Sequence, residues 1–402
     1  MPKSNKIYLD YASATPVDSA VSMVMAKYSK ENFANPSAMH GAGMKVKKTL
    51  DESRKKIGEF LGAHSNEIIF TSGVTESNNL AILGIVNATK EKVPHIVTTN
   101  IEHASVLEVC KYLEQNKRAS VTYVEVEENG IVDFKKIKKA LRLNTVLVSV
   151  MYANNEIGTI QPLQKIAKEI RHYKKINNKK ILFHTDATQA INYLEIRAEK
   201  LGVDLLSFNS AKIYGPKGMG VLYVKRGTSI EKIIFGGNQE SDLRPGTENI
   251  VNVVGLVEAL KITEKIKEKE IKRLTILRDY FFNKLLHSKV LTNIGMIING
   301  DKDVRLPNNV NITIPNIPSD LLVIEFSARG IMASAKSACK TGDGKASHVI
   351  QAIRKEANLS HQNKMEDGSL RFSLGRNTSK RDIDVTIKAL FEIWNKLKKW
   401  YN

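Results

Sequence analysis

The chain has 402 residues, 42% hydrophobic and 26% charged, proportions of a globular protein long enough to bury a large core without covalent staples. Its two cysteines, Cys110 and Cys339, form neither a disulfide framework nor a zinc-ligand spacing, which points to a reducing compartment. The net charge of +19 comes from dispersed lysines without a zinc knuckle, an aromatic-rich RNA-binding signature or a basic arm, so a generally basic surface is expected rather than direct contact with nucleic acid.

The N-terminal stretch MPKSNKIYLDYASATP has no apolar core followed by a cleavage site, and no apolar run approaches the ~20 residues of a membrane span. A cytoplasmic protein without membrane contact is expected. Short β-like runs then alternate with longer amphipathic ones. The β-like runs are 67–71, 95–100, 121–126, 145–151, 180–186, 204–208 and 220–225, and helical patterns such as SNNLAILGIVNATK and LQKIAKEIRHYKK lie between them. This order predicts an α/β fold with a mainly parallel seven-stranded sheet, whose ligands gather beyond the carboxyl ends of the strands. A long helical stretch over 249–288 follows, with its densest lysines at 261–273 alternating with glutamates as on a solvated face. Further strands are expected at NVNITI, LLVIEF (321–326) and SLRFSL (369–374), and a last amphipathic helix over DIDVTIKALFEIWNKLKKW. This part reads as a smaller α+β domain.

The chemically unusual residues fall where strands end. In TSGVTES (71–77), Gly73 permits a tight turn, and Thr75 with free backbone N–H groups could hold a phosphate at a helix N-terminus. An ordinary capped helix start is the alternative. GAGMKV (41–46) is not a dinucleotide fingerprint, because Val46 stands in the third glycine's place. His103 ends TTNIEH and could stack on a flat cofactor or move protons, or be structural. Cys110 shares helical spacing with Val106, Leu107 and Leu113 and belongs to the core.

Asp186 closes the apolar run KILFHTD, where a carboxylate is costly unless paired. A protonated pyridine nitrogen, as in pyridoxal phosphate, would pair it, with Gln189 close enough to reach a ring substituent; a capping role is the alternative. Lys212 follows another strand end and precedes the turn GPKG, a setting in which a lysine can form an imine, although a surface lysine is the common case. Cys339 sits among small residues between Lys336 and Lys340, which favour its thiolate. Arg371, on an expected strand, could clamp a carboxylate or form a structural ion pair. No metal site is expected.

Longer phrases join these points: YLDYASATP (8–16), NPSAMH (35–40), EIIFTSGVTESNNLAI (67–82), EHASVL (102–107), ANNEIGTIQP (153–162), HTDATQA (184–190), KIYGPKGMG (212–220), GGNQESDLRPGTEN (236–249), KSACKTG (336–342) and LRFSLG (370–375). In order and wording the chain resembles the cysteine desulfurases, pyridoxal-phosphate enzymes of the class V aminotransferase-like group, over essentially its whole length. The resemblance implies a fold-type-I pyridoxal-phosphate-dependent transferase, with a large domain over 17–260 and a small domain, made of 1–16 and 261–402, that carries the nucleophile loop. It also implies a homodimer with active sites at the subunit boundary.

Position by position, the resemblance makes Lys212 the Schiff-base lysine, Asp186 the pyridine-nitrogen partner, Gln189 the contact of the ring hydroxyl and His103 the ring-stacking residue. Val74 and Thr75 hold the phosphate, with Thr247 arriving from the neighbouring subunit. Asn155 and Arg371 hold the substrate carboxylate, and Cys339 takes the sulfur. The implied reaction turns L-cysteine into L-alanine and a persulfide for a sulfur-acceptor protein, either an iron–sulfur scaffold or a tRNA-thiolation enzyme. The spacing from Cys339 to Ser347, His348 and Val349 resembles the long-loop group that serves those pathways. Two positions depart from the family: Asn209 stands where serine is usual, and Ala211 where histidine is usual. Both family residues help hold the cofactor phosphate, and Asn209 and Ser210 are the hydrogen-bonding groups left to replace them. Lys336 stands where glycine is common.

Overall fold

A computed structural model describes residues 6–335, 347–354 and 368–401. The strands are β1 (Ile7–Tyr8), β2 (Ile68–Thr71), β3 (His95–Thr99), β4 (Ser120–Val124), β5 (Thr145–Ser149), β6 (Leu182–Asp186), β7 (Leu205–Asn209), β8 (Gly220–Val224), β9 (Ile297–Ile298), β10 (Asn309–Thr313), β11 (Ile331–Met332) and β12 (Ser369–Ser373). Seven of them form one sheet in the order β2-β8-β7-β6-β5-β3-β4. β8 runs antiparallel to both its neighbours, and the other pairings are parallel. The expected mainly parallel seven-stranded sheet is therefore present. The seven β-like runs of the sequence are its strands, each within a few residues of the expected bounds.

Both faces of this sheet are covered, as apolar parallel strands require. Because successive side chains alternate, neighbouring residues enter different cores. Ile68, Phe70, Val97, Val148, Phe183, Leu206 and Phe208 join one cluster, with helices Gly41–Leu61 and Leu163–Asn177. Ile69, Ile96, Leu147, Leu182 and Leu205 join the other, with helices Val74–Ala88 and Ala104–Gln115. Cys110 is fully buried in that second layer, and burial pushes its thiol up to about 12. It is a core residue, as its spacing predicts.

A third core lies on the antiparallel sheet β12-β10-β9 and the parallel pair β1-β11. The helix Ile250–Leu286 serves two cores. Val253, Leu256 and Leu260 pack into the first, while Leu274, Phe281 and Leu285 pack into the third. Its lysine-rich middle turns mostly outward. The C-terminal helix Lys380–Tyr401 buries Ile383, Ile387, Leu390, Ile393, Trp394 and Leu397, the expected amphipathic stripe.

One expected strand is a helix. LLVIEF lies within the helix Ser319–Ala328. A six-residue apolar run carries no decisive period, and the residues around it decide. Pro318 precedes a Ser319–Asp320 start, and Leu322 and Phe326, four apart, are fully buried while Ile324 is 63% exposed. Glu325 on the same turn pairs with Arg329 (2.7 Å) and Lys396 (2.6 Å).

Next to β2, Glu240, Ser241 and Asp242 all take left-handed backbone (φ 47°, 59° and 62°), which costs about 1–2 kcal/mol per non-glycine residue. Buried Glu240 holds this turn. Its carboxylate receives two hydrogen bonds of 2.7 Å from Arg54 and one of 2.8 Å from Phe70 N–H. Arg54→Met would leave that carboxylate buried without its cation. We expect a loss of about 3 kcal/mol, read as a lower urea midpoint; an unchanged midpoint would show that Arg54 does not hold the turn.

Candidate active site

The parallel strands deliver their carboxyl ends to one edge, and the next few residues of each carry the candidate groups. β2 leads to Gly73, which caps the helix Val74–Ala88 without a side chain to spend on its first N–H groups. Thr75 is exposed there. The backbone of Gly73 lies so close to β8 that a Cβ on Gly220 would come within 2.7 Å of it. β3 leads to His103, the N-cap of helix Ala104–Gln115, whose Nδ1 accepts from Ser105 N–H at 3.2 Å. That cap places the proton of the neutral ring on Nε2. Thr75 and His103 line an open groove of about 660 Å³ together with Lys232, Ile233 and Phe235.

Asp186, 5% exposed at the end of β6, accepts from Thr188 N–H at 2.9 Å and from Asn78 Nδ2 at 2.8 Å. The same Asn78 amide donates to Ser105 Oγ at 2.9 Å, and Ser105 Oγ lies 2.9 Å from His103 Nδ1. One hydrogen-bonded chain thus runs from Asp186 to His103. On the same strand, His184 is fully buried between Ser149 Oγ and Ser207 Oγ (2.9 Å each). Burial lowers its pKa to about 4 against the opposing pull of Asp186, so it adds no charge at neutral pH.

The segment 10–15 is the common contact of the remaining groups. Lys212 Nζ donates to Ser13 O. Gln189 Nε2 donates to Ala12 O at 3.0 Å. Arg371, 2% exposed, donates to Asp10 Oδ1 (2.7 Å), Ser13 Oγ (2.6 Å) and Asn155 O (2.9 Å). Its Nε is buried without a hydrogen-bond partner among the described residues. Thr15 Oγ1 donates to Ala211 O at 3.0 Å and accepts from Tyr214 N–H at 2.8 Å, which fixes the turn after Lys212.

The other candidates fall as follows. Val74 is buried at the helix start. Asn209 has a buried Oδ1 without a partner among the described residues. Ser210 is fully buried and donates inside its own turn, to Pro216 O and to Met219 O (3.2 Å), so its hydroxyl serves that turn. Thr247 is exposed and takes no part in these contacts. Cys339 lies outside the described residues. Sequence reasoning assigned no role to Asp10, Ser13, Thr15, Asn78 or Ser105. The first three stand in YLDYASATP, but their partners lie up to 361 positions away, beyond any local signal.

A family model, aminotransferase class-V, matches residues 7–385. The chain is 42% identical to the cysteine desulfurase IscS of Dictyoglomus turgidum, over 98% of this chain and 95% of that protein. It belongs to the cysteine desulfurases of the class-V aminotransferase family. Among solved structures, a NifS-like protein superposes with a TM-score of 0.87 at 33% identity, covering 98% of this chain and 100% of that one. SspA, solved in complex with cysteine, gives 0.75 at 32% identity over 92% and 98%. These likenesses identify the fold as fold type I. Among the described residues, no helix is long and apolar enough to cross a membrane, and no cluster of potential metal ligands occurs.

Beside this desulfurase-family site, Glu102 is fully buried. Its Oε1 accepts from Thr99 Oγ1 (2.7 Å) and Met151 N–H (2.9 Å), while Oε2 has no partner among the described residues. Burial raises its pKa to about 8. The folded state therefore holds this proton more tightly than the unfolded chain, and Glu102 makes stability fall as pH rises from about 4.5 to about 8. Glu102→Gln keeps the accepting oxygen and cannot ionise. Its urea midpoint should fall less between pH 5 and 8 than that of the parent; equal slopes would show that Glu102 does not titrate in this window.

Proposed function

We propose that this chain binds pyridoxal phosphate on Lys212 and moves the sulfur of L-cysteine to Cys339, releasing L-alanine. The observation that carries the reading is the convergence of Lys212, Gln189 and Arg371 on residues 10–15. The cofactor, when bound, supplies an aldehyde that captures amines and a ring that accepts an electron pair. The residues fit it. Asp186 is a nearly buried carboxylate whose hydrogen-bond donors, Asn78 and Thr188, are both neutral, which suits a protonated ring nitrogen. Gln189 would meet the ring hydroxyl, and His103, its ring oriented by Ser105, would stack on the ring. Val74 N–H, Thr75 and the uncapped helix start would hold the phosphate. In place of the family's serine and histidine, Asn209 contributes its amide. Its unpartnered oxygen position becomes a donor when the amide is turned over.

Arg371 and Asn155 take the substrate carboxylate. The spare Arg371 Nε is a donor for it, and Asp10 and Ser13 hold the guanidinium in place beforehand. Lys212 Nζ takes the proton from the α-carbon and later returns one. The Cys339 thiolate attacks the substrate sulfur. An S–S bond forms and the C–S bond breaks, with its electron pair left on the carbon side, where protons complete alanine. Cysteine and one thiol give alanine and one persulfide, so no outside oxidant is required.

The persulfide is then passed to an acceptor protein, an iron–sulfur scaffold or a tRNA-thiolation enzyme, in the cytoplasm. A homodimer is supported by the exposed apolar side chains Phe33, Met39, Met44 and Phe235 and by exposed Thr247, which would complete the phosphate site of the neighbouring subunit. Residues 17–260 would form the large domain, with 1–16 and 261–402 the small one that brings Cys339 to the substrate.

Two experiments test this. Cys339→Ser should keep the visible absorption of the cofactor-loaded protein and lose cysteine-dependent sulfur transfer; full-rate transfer would remove Cys339 from the reaction. Asn209→Ala should retain pyridoxal phosphate about tenfold less tightly, the worth of one hydrogen bond to a charged group. Unchanged retention on dialysis would exclude Asn209 from the phosphate site.

A further inference from the structure

Residues 336–346, which contain Cys339, lie outside the described residues, but the chain on both sides of them is described. On the amino side, Ser334 and Arg371 exchange backbone hydrogen bonds of 2.7 and 3.2 Å, and Ser369 Oγ donates to Ala335 O at 3.2 Å. On the carboxyl side, Ser347 Oγ donates to Glu156 Oε2 at 2.6 Å, and His348 Nε2 lies 3.0 Å from Glu102 O. Glu156 is 2% exposed and directly follows Asn155, while Glu102 directly precedes His103. Both flanks of the Cys339 segment are thus bonded to Arg371 itself or to the neighbour of a site residue.

Chain connectivity gives these anchors a consequence. Cys339 is four residues from Ala335 and eight from Ser347, so its reach is limited to roughly 14 Å from one anchor and 27 Å from the other. The Glu156 backbone is itself held on both sides. Its N–H donates to Asn154 Oδ1 (2.8 Å), and its carbonyl accepts from Asn309 and Asn311 (3.0 Å each). The helix His348–Arg354 does not depend on this contact alone, because Val349, Ile350 and Ile353 are buried in the first core.

We infer that Glu156 and Ser347 are positioning residues for sulfur transfer: their hydrogen bond fixes where the Cys339 segment rejoins the fold, one residue from the Asn155 that holds the substrate carboxylate. This rests on the functional reading above and adds to it how the nucleophile is registered against the substrate. The clamp acts on the transfer step and leaves substrate capture alone. Glutamine at 156 retains an oxygen able to accept the Ser347 hydroxyl.

The test uses the full chain loaded with pyridoxal phosphate, as the parent and as Ser347→Ala, Glu156→Ala and Glu156→Gln. Three quantities are read: the cysteine concentration that half-completes the absorbance change, the single-turnover rate of persulfide formation on Cys339 by mass spectrometry, and the urea midpoint. Both alanine variants should slow persulfide formation on the order of tenfold or more. The half-completing concentration should stay within about twofold, and Glu156→Gln should transfer within about threefold of the parent rate. Parent-rate transfer in the alanine variants would overturn the proposal. So would a joint shift of all three quantities, which would mark the contact as merely structural. A parent that forms no persulfide would overturn the functional reading and this inference with it.

Discussion

The ion pair between Asp10 and Arg371 is the contact on which the site's arrangement depends. An arginine that is 2% exposed is tolerable only with a compensating charge and filled hydrogen bonds. Asp10, Ser13 Oγ and the Asn155 carbonyl supply them. The pair joins the start of the chain to β12, 361 residues away. The same short segment continues to Ala12 and Ser13, where Gln189 and Lys212 dock, and to Thr15, which pins the turn after Lys212. Residues from the main sheet and from the smaller sheet are in this way referred to one piece of backbone. Close packing holds that piece: a Cβ on Gly375 would lie 2.4 Å from the Tyr11 ring, so β12 can be followed there only by glycine.

Around this anchor, burial decides the charge state of neighbouring titratable groups. His184 stays neutral near Asp186 because burial outweighs the carboxylate's pull. Glu102 is held near neutrality by the same force. Asp186 differs in that each of its oxygens receives a hydrogen bond, Oδ1 from Thr188 N–H and Oδ2 from Asn78 Nδ2, whereas both donors to Glu102 meet Oε1. At the strained turn 240–242, three left-handed residues are held by one buried carboxylate that accepts three hydrogen bonds.

The phosphate end of the site departs most from its family. With alanine at 211 and asparagine at 209, and with the Ser210 hydroxyl committed to its own turn, the grip in the proposed function is left to the helix start at 74–75 and to the Asn209 amide. Backbone N–H groups at a helix N-terminus bind anions without regard to side-chain identity, which is a physical reason why such a site tolerates the two replacements.

The sequence by itself determined the strand–helix order, the two-faced apolar strands of the main sheet, the core position of Cys110 and the family, because each of these is written in local periodicity or in contiguous phrases. It also named Asp186, Lys212 and His103, ionisable groups at or just beyond the ends of strands, and with them Gln189, three residues after Asp186, and Arg371, a cation on an expected strand. It misread LLVIEF, where an apolar run too short to show a period took its conformation from the turn before it. Only the tertiary structure decided what holds those residues: Asp10 and Ser13 for Arg371, Asn78 and Ser105 between Asp186 and His103, and Glu156 and Glu102 beneath the end of the Cys339 segment. These pairings join positions tens to hundreds of residues apart, and a hydrogen bond across such a distance leaves no periodic trace in the chain that forms it.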